Sequence, residues 1–132
     1  MDLKHLKGLE RTVELKVTEA VTASAVGSGG VEVLSTPSMI LLFEQAARDA
    51  VQPGLPEGHT TVGTRVDVRH LSATPMGETV TVTARAVDVE GRRVVFKVSA
   101  FDRKGEIGAG THERFVVDLQ RFMGGLRRKF KD

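Results

Sequence analysis

Apolar and polar residues alternate along most of this chain, and one stretch departs from that rhythm. From Glu10 to Ala20, Val13, Leu15 and Val17 fall on one side and Glu14 and Lys16 on the other, which predicts a strand. Gly27-Ser28-Gly29-Gly30 reads as a flexible loop, followed by a short extended piece, Val31–Leu34. Thr36-Pro37 then opens a helix that can run to about Val51, where Pro53-Gly54-Leu55-Pro56 ends it. Beyond Thr60 the alternation returns. Strands are predicted over Thr61–Leu71, Glu78–Val89, Arg93–Phe101 and Glu106–Asp118, joined at Pro75-Met76-Gly77, Glu90-Gly91 and Asp102–Gly105. Three successive hairpin-like connections predict an antiparallel meander. In the strand over Thr61–Leu71, Val62, Thr64, Val66, Val68 and His70 are expected on one face. Thr61, Gly63, Arg65, Asp67 and Arg69 are expected on the other. Leu119 to Phe130 predicts a short terminal helix broken at Gly124-Gly125.

The predicted central helix is the exception because Met39-Ile40-Leu41-Leu42-Phe43 places large apolar side chains all round its axis. Such a helix is expected to be enclosed by its neighbours, and long strands curling around it would do so. Glu44 follows this run directly. Proteins seldom bury a carboxylate that is neither paired nor used. A carboxyl group held out of water is displaced toward its neutral form, the property that a general acid or base exploits.

A chain of 132 residues supports one domain with a real core. With 40% hydrophobic and 27% charged residues it has the composition of a soluble globular protein. The expected layout is a lead-in over 1–10, the folded domain over 11–118 and a basic tail over 119–132. Cysteine is absent, which excludes disulfides, thiolate metal sites and a cysteine nucleophile and fits a reducing, cytoplasmic setting. The four histidines show no zinc-type spacing, and the glycine-rich loop lacks the lysine of a phosphate-cradling loop. Net charge is +2, but residues 119–132 carry five basic side chains against Asp132, a sum of +4, so the rest sums to −2. The basicity belongs to the tail. A nucleic-acid or acidic-partner adaptor therefore ranks last among the readings, and no membrane-spanning run is present.

Residue types alone leave each candidate with two readings. Thr36 can simply cap the helix, although a helix N-terminus also stabilises an anion formed nearby. Glu44 can lie on a polar stripe with Gln45 and Arg48, or pair with Arg48 four residues on. Thr36 and Glu44 stand roughly 12 Å apart along the helix and cannot touch. His70 can be a structural histidine at the edge of the core, or it can orient Glu44 as a carboxylate–imidazole couple. Gly63 is either a bulge or a place where a ligand approaches the strand backbone. Arg114 shares a face with His112 and either reaches a phosphate or pantetheine group or is solvated.

Taken together, the strings are more specific. Ser35-Thr36-Pro37-Ser38-Met39, Glu44, Thr60-Thr61-Val62-Gly63-Thr64, Arg69-His70, Ala73-Thr74-Pro75 and Gly110-Thr111-His112-Glu113-Arg114-Phe115 follow one another in an order and spacing that resembles the fluoroacetyl-CoA thioesterase-like family. The resemblance covers residues 10 to 118. It implies an α+β hotdog fold, a curved antiparallel sheet wrapped around one central helix, and hydrolysis of a small or short-chain acyl-CoA. It also implies a catalytic set of Thr36, Glu44 and His70, with acyl-CoA bound by Gly63 and Arg114. No metal or redox cofactor is implied, because coenzyme A enters as part of the substrate. A homodimer or higher homo-oligomer, with sites at the dimer interface, is implied as well. A non-catalytic acyl-CoA or acyl-carrier binder on the same fold is the alternative. Family members specific for the fluorinated substrate carry aromatic side chains just before the threonine, where this chain has Gly29, Gly30 and Val31. The resemblance thus extends to thioester chemistry and not to the fluorinated acyl group.

Overall fold

The structure, a computed structural model, describes all 132 residues. Five strands form one antiparallel sheet in the order β1-β3-β4-β5-β2, with β1 Glu10–Lys16, β2 His59–His70, β3 Thr79–Glu90, β4 Arg93–Asp102 and β5 Gly105–Asp118. A short helix α1, Ala23–Val26, precedes the long helix α2, Thr36–Val51, and helix α3, Leu119–Lys129, closes the chain. The expected α+β layout of a meander against one long helix is present. No helix is long and apolar enough to cross a membrane.

Alternation in β3 and β4 builds the wall on which α2 rests. Val80, Val82, Ala84 and Ala86 of β3 and Val94, Phe96, Val98 and Ala100 of β4 are fully or almost fully buried, and the residues between them are mostly not. Against this wall α2 turns Met39, Leu42, Phe43, Ala46, Ala47, Ala50 and Val51. The alanines on both sides allow the helix to lie close to β3 and β1, the strands it packs on most. Register shifts in β2, β3 and β5 bend the sheet around the helix.

Three expectations need correction. The helix is not enclosed on every side: Leu41 is 53% exposed and Ile40 half-buried, because the sheet covers only one face of α2 within the chain. Leu3 and Leu6, in the expected lead-in, insert into the core. The terminal helix runs unbroken through Gly124-Gly125, its start capped by the Asp118 carboxylate accepting the Arg121 N–H.

The expected faces of β2 are also half wrong. The strand bulges between Gly63 and Arg65, so that Gly63 pairs with Arg114 and Val66 with His112. The bulge changes which parity faces the helix. Thr61 and Gly63 point inward before it, and Val66, Val68 and His70 point inward after it. Simple alternation cannot register an inserted residue.

Candidate active site

The start of α2 is held by Ser35, not Thr36. The Ser35 hydroxyl accepts the Ser38 N–H at 3.1 Å and donates to the Ser38 hydroxyl at 2.7 Å, while Ser35 N–H donates to the Val21 carbonyl. Thr36 is therefore the first helical residue, and its hydroxyl is released from capping. That hydroxyl lies 2.8 Å from Nδ1 of His70, the last residue of β2. Burial pushes the His70 pKa below the ordinary imidazole value, opposed in part by the Ser72 backbone. Its Nε2 is buried and makes no well-formed hydrogen bond. A neutral imidazole beside a hydroxyl at a helix N-terminus is suited to hold a carbonyl oxygen and to move a proton.

Beside this pair lies a cleft of about 340 Å³. Ala23 and residues between Ser28 and Thr36 line it together with the end of β2 and the stretch after it, residues 70–73.

Glu44 lies two helical turns further on, and its partner is not His70. Glu44 Oε2 stands 3.6 Å from Arg114 Nη1 in an ion pair. The two side chains differ sharply in exposure: Arg114 is 7% exposed and Glu44 39%, so the cation is inside and the carboxylate reaches toward solvent. Arg114 is gripped on all sides. Its Nε donates to Thr61 Oγ1 at 2.8 Å, Nη2 donates to the Thr61 carbonyl at 3.1 Å, and Nη1 donates to His112 Nε2 at 3.1 Å. His112 in turn donates from Nδ1 to the Arg65 carbonyl at 2.7 Å. That bond places the proton on Nδ1 and leaves Nε2 as the acceptor that Arg114 needs. Burial lowers the His112 pKa, the Arg65 carbonyl opposes this, and the Arg114 charge adds to it. Burial likewise lowers the Arg114 pKa, against the pull of Glu44.

Gly63 makes this cluster possible. A Cβ there would stand 2.9 Å from Glu44 Oε2, 3.3 Å from Arg114 Nη1 and 3.4 Å from His112 Cε1. The glycine leaves room for three side chains to converge at the strand.

The five candidates thus fall into two groups within one chain: Thr36 with His70, and Glu44 with Gly63 and Arg114. No hydrogen bond or ion pair joins His70 to Glu44, because the helix separates them by two turns. Arg114 is turned into the chain rather than outward to a phosphate. Thr61 and His112 belong to the second group and were not singled out from the sequence. The signal for His112 was its place two residues from Arg114 on one strand face. Thr61 carried none, because the bulge hides its inward direction.

Known proteins share this fold and much of this sequence. The model of a family described as fluoroacetyl-CoA-specific thioesterase matches residues 17–120. The chain is 48% identical over 98 residues to the fluoroacetyl-CoA thioesterase of Streptantibioticus cattleyicolor, covering 74% of this chain and 70% of that protein. A solved structure of the fluoroacetyl-CoA thioesterase FlK superposes with a TM-score of 0.86 at 39% identity, covering 95% of this chain and 97% of that one. A hot-dog-like protein from Thermanaerovibrio acidaminovorans superposes with a TM-score of 0.92 at 30% identity, covering 100% and 99%. The matched span contains both side-chain groups and the whole sheet from β2 onward, and the chain belongs to the fluoroacetyl-CoA-specific thioesterase family.

Proposed function

We propose that this protein hydrolyses a small or short-chain acyl-CoA to the free acid and coenzyme A, as a homodimer in which each site joins one protomer's Thr36–His70 pair to its partner's Glu44–Arg114 pair. The observation that carries this reading is the division of the site into two groups along an edge strand, one at Gly63 within it and one at His70 at its end.

Thr36 lies against His70 at the end of β2, and Glu44 lies against Gly63 near its beginning. The helix therefore runs antiparallel to β2, and its stretch around Leu41 passes over the middle of the strand. Val66 of β2 is 40% exposed and Leu41 of α2 is 53% exposed. Strand β2 is also an edge of the sheet, twelve residues long. A long edge with exposed apolar residues favours pairing with another strand. A two-fold axis near Val66 would pair β2 with its partner's β2 in antiparallel fashion. Residue 63 of one chain would then face the 69–70 end of the other, which brings together the two groups that a single chain keeps apart.

In the proposed reaction the thioester carbonyl oxygen rests against the Thr36 hydroxyl at the positive end of α2. His70 Nδ1 is hydrogen-bonded to the Thr36 hydroxyl and fixes it beside that oxygen. The partner's Glu44 is held by Arg114 yet open to water, and it takes a proton from the water that attacks the carbonyl carbon. The tetrahedral oxyanion is stabilised by the Thr36 hydroxyl and the helix N-terminus. The C–S bond then breaks, and the proton taken by Glu44 passes to the departing thiolate. Water is consumed, and one carboxylic acid and one thiol are formed. Coenzyme A takes part as the leaving portion of the substrate, and the route uses no metal or redox group. Gly63 and Arg114 contribute to binding by keeping the strand backbone accessible and the carboxylate fixed. Coenzyme A thioesters and a cysteine-free chain both suit the cytoplasm.

The test is thiol release from short acyl-CoAs by the wild type and by Glu44→Ala. Loss of turnover in the variant with its fold intact is the expected result. Equal rates would remove Glu44 from the mechanism.

A further inference from the structure

We propose that the cleft beside Thr36 and His70 takes an apolar acyl tail of about four to six carbons, in preference to acetyl. The inference rests on the thioesterase reading above and names the substrate class of that site.

Six apolar side chains line the cleft: Ala23, Val31, Val33, Leu34, Leu71 and Ala73. Ser28, Ser35 and Ser72 are the other side chains of the lining, apart from Thr36 and His70 themselves, and no charged residue is among them. The cleft therefore offers an acyl chain apolar contact and holds no charged partner for an ionised tail. Its size points the same way. In the single chain its volume of about 340 Å³ exceeds what a two-carbon acyl group fills. Discrimination in favour of so small a group requires walls close around it, because a loose site gains nothing from fit.

The covering loop supplies no such wall. Gly29 lines the cleft, and a Cβ there would meet only Ala23 Cβ, at an ordinary 3.5 Å. A Cβ on Gly30 would meet nothing within 4 Å. Neither glycine has a positive φ, so the backbone does not demand glycine at either position. These residues therefore act by leaving space. With the carbonyl at Thr36, a tail extends under the loop between Ala23 and Ala73.

Each methylene fully withdrawn from water is worth about fourfold in kcat/KM, and about twofold when half covered. The cleft is open on one side, so the four methylenes that separate hexanoyl from acetyl are expected to raise kcat/KM by about tenfold or more.

The experiment measures kcat/KM for acetyl-, butyryl-, hexanoyl- and octanoyl-CoA with the wild type, with Gly29→Phe and, from the opposite wall, with Ala73→Phe. The expected result is a rise from acetyl to hexanoyl in the wild type, with the hexanoyl-to-acetyl ratio reduced at least fivefold in whichever variant is folded by circular dichroism. Acetyl-CoA preferred over hexanoyl-CoA by the wild type, or an unchanged ratio in a folded variant, would overturn the proposal and leave thioesterase activity standing. No turnover of any acyl-CoA by the wild type would overturn both readings.

Discussion

Replacing Gly63 by alanine separates a role in placing Glu44 from a role in holding the strand. The added Cβ would lie 2.9 Å from Glu44 Oε2, and ordinary contact begins near 3.4 Å, so the carboxylate must retreat by about 0.5 Å (3.4 − 2.9). Oε2 is the far end of a flexible side chain, so the retreat costs little energy. Gly63 has no positive φ, so alanine fits the backbone without strain. Gly→Ala at a compatible site also gains about 0.4–1 kcal/mol by restricting the unfolded chain. Net stability should therefore change by less than about 1 kcal/mol, a Tm shift within about 5 °C for a chain of this size. Activity should respond much more. A misplacement of 1 Å costs about 10²-fold, so half of that predicts about a tenfold loss in kcat, or about 1.4 kcal/mol of barrier. Thiol release from butyryl-CoA and thermal unfolding measure the two quantities. A kcat within twofold of wild type, or a large fall in Tm with kcat preserved, would refute this account of Gly63.

Other residues give separate tests. Thr36→Ala should lower kcat by about 10²–10³-fold, as loss of an oxyanion donor does, while Thr36→Ser should keep most of it; equal losses in both would remove the hydroxyl from the reaction. Burial holds the His70 and His112 pKa values below the ordinary 6.5, so the unfolded chain binds protons more readily than the folded one. This contribution leaves stability flat above pH 6.5 and lowers it as pH falls below that value. Urea midpoints across pH 5–8 should show the decline, with a shallower slope in His112→Asn; identical slopes would contradict it. Leu41→Glu should convert the dimer to monomer in sedimentation and abolish turnover together, since the substitution leaves both groups of one chain intact. An active monomer would refute a shared site.

The sequence carried the sheet and helix clearly, because β3, β4 and α2 each bury one regular face. The family resemblance pointed to Thr36, Glu44, His70, Gly63 and Arg114, which the structure divides into two groups, and it left out Thr61 and His112. The pairings within the chain were not legible. His70 was expected against Glu44 and lies against Thr36. Glu44 was weighed against Arg48 and lies against Arg114, seventy residues away. Long-range partners leave no local period, and the bulge at Gly63–Arg65 reverses the face of half a strand without a mark in hydrophobicity. The helix misled for a related reason. Leu41 has the composition of a buried residue yet lies at the surface of the single chain, because its proposed cover is a second copy.

The most direct measurement mixes two inactive proteins, Thr36→Ala and Glu44→Gln, after partial unfolding to allow exchange. In a mixed dimer one site collects both substitutions and the other collects neither. Random exchange makes half of the dimers mixed, so acyl-CoA hydrolysis should return to about a quarter of the wild-type rate. If each site were built within one chain, every site would stay damaged, and activity at the level of the two parents would contradict the shared site.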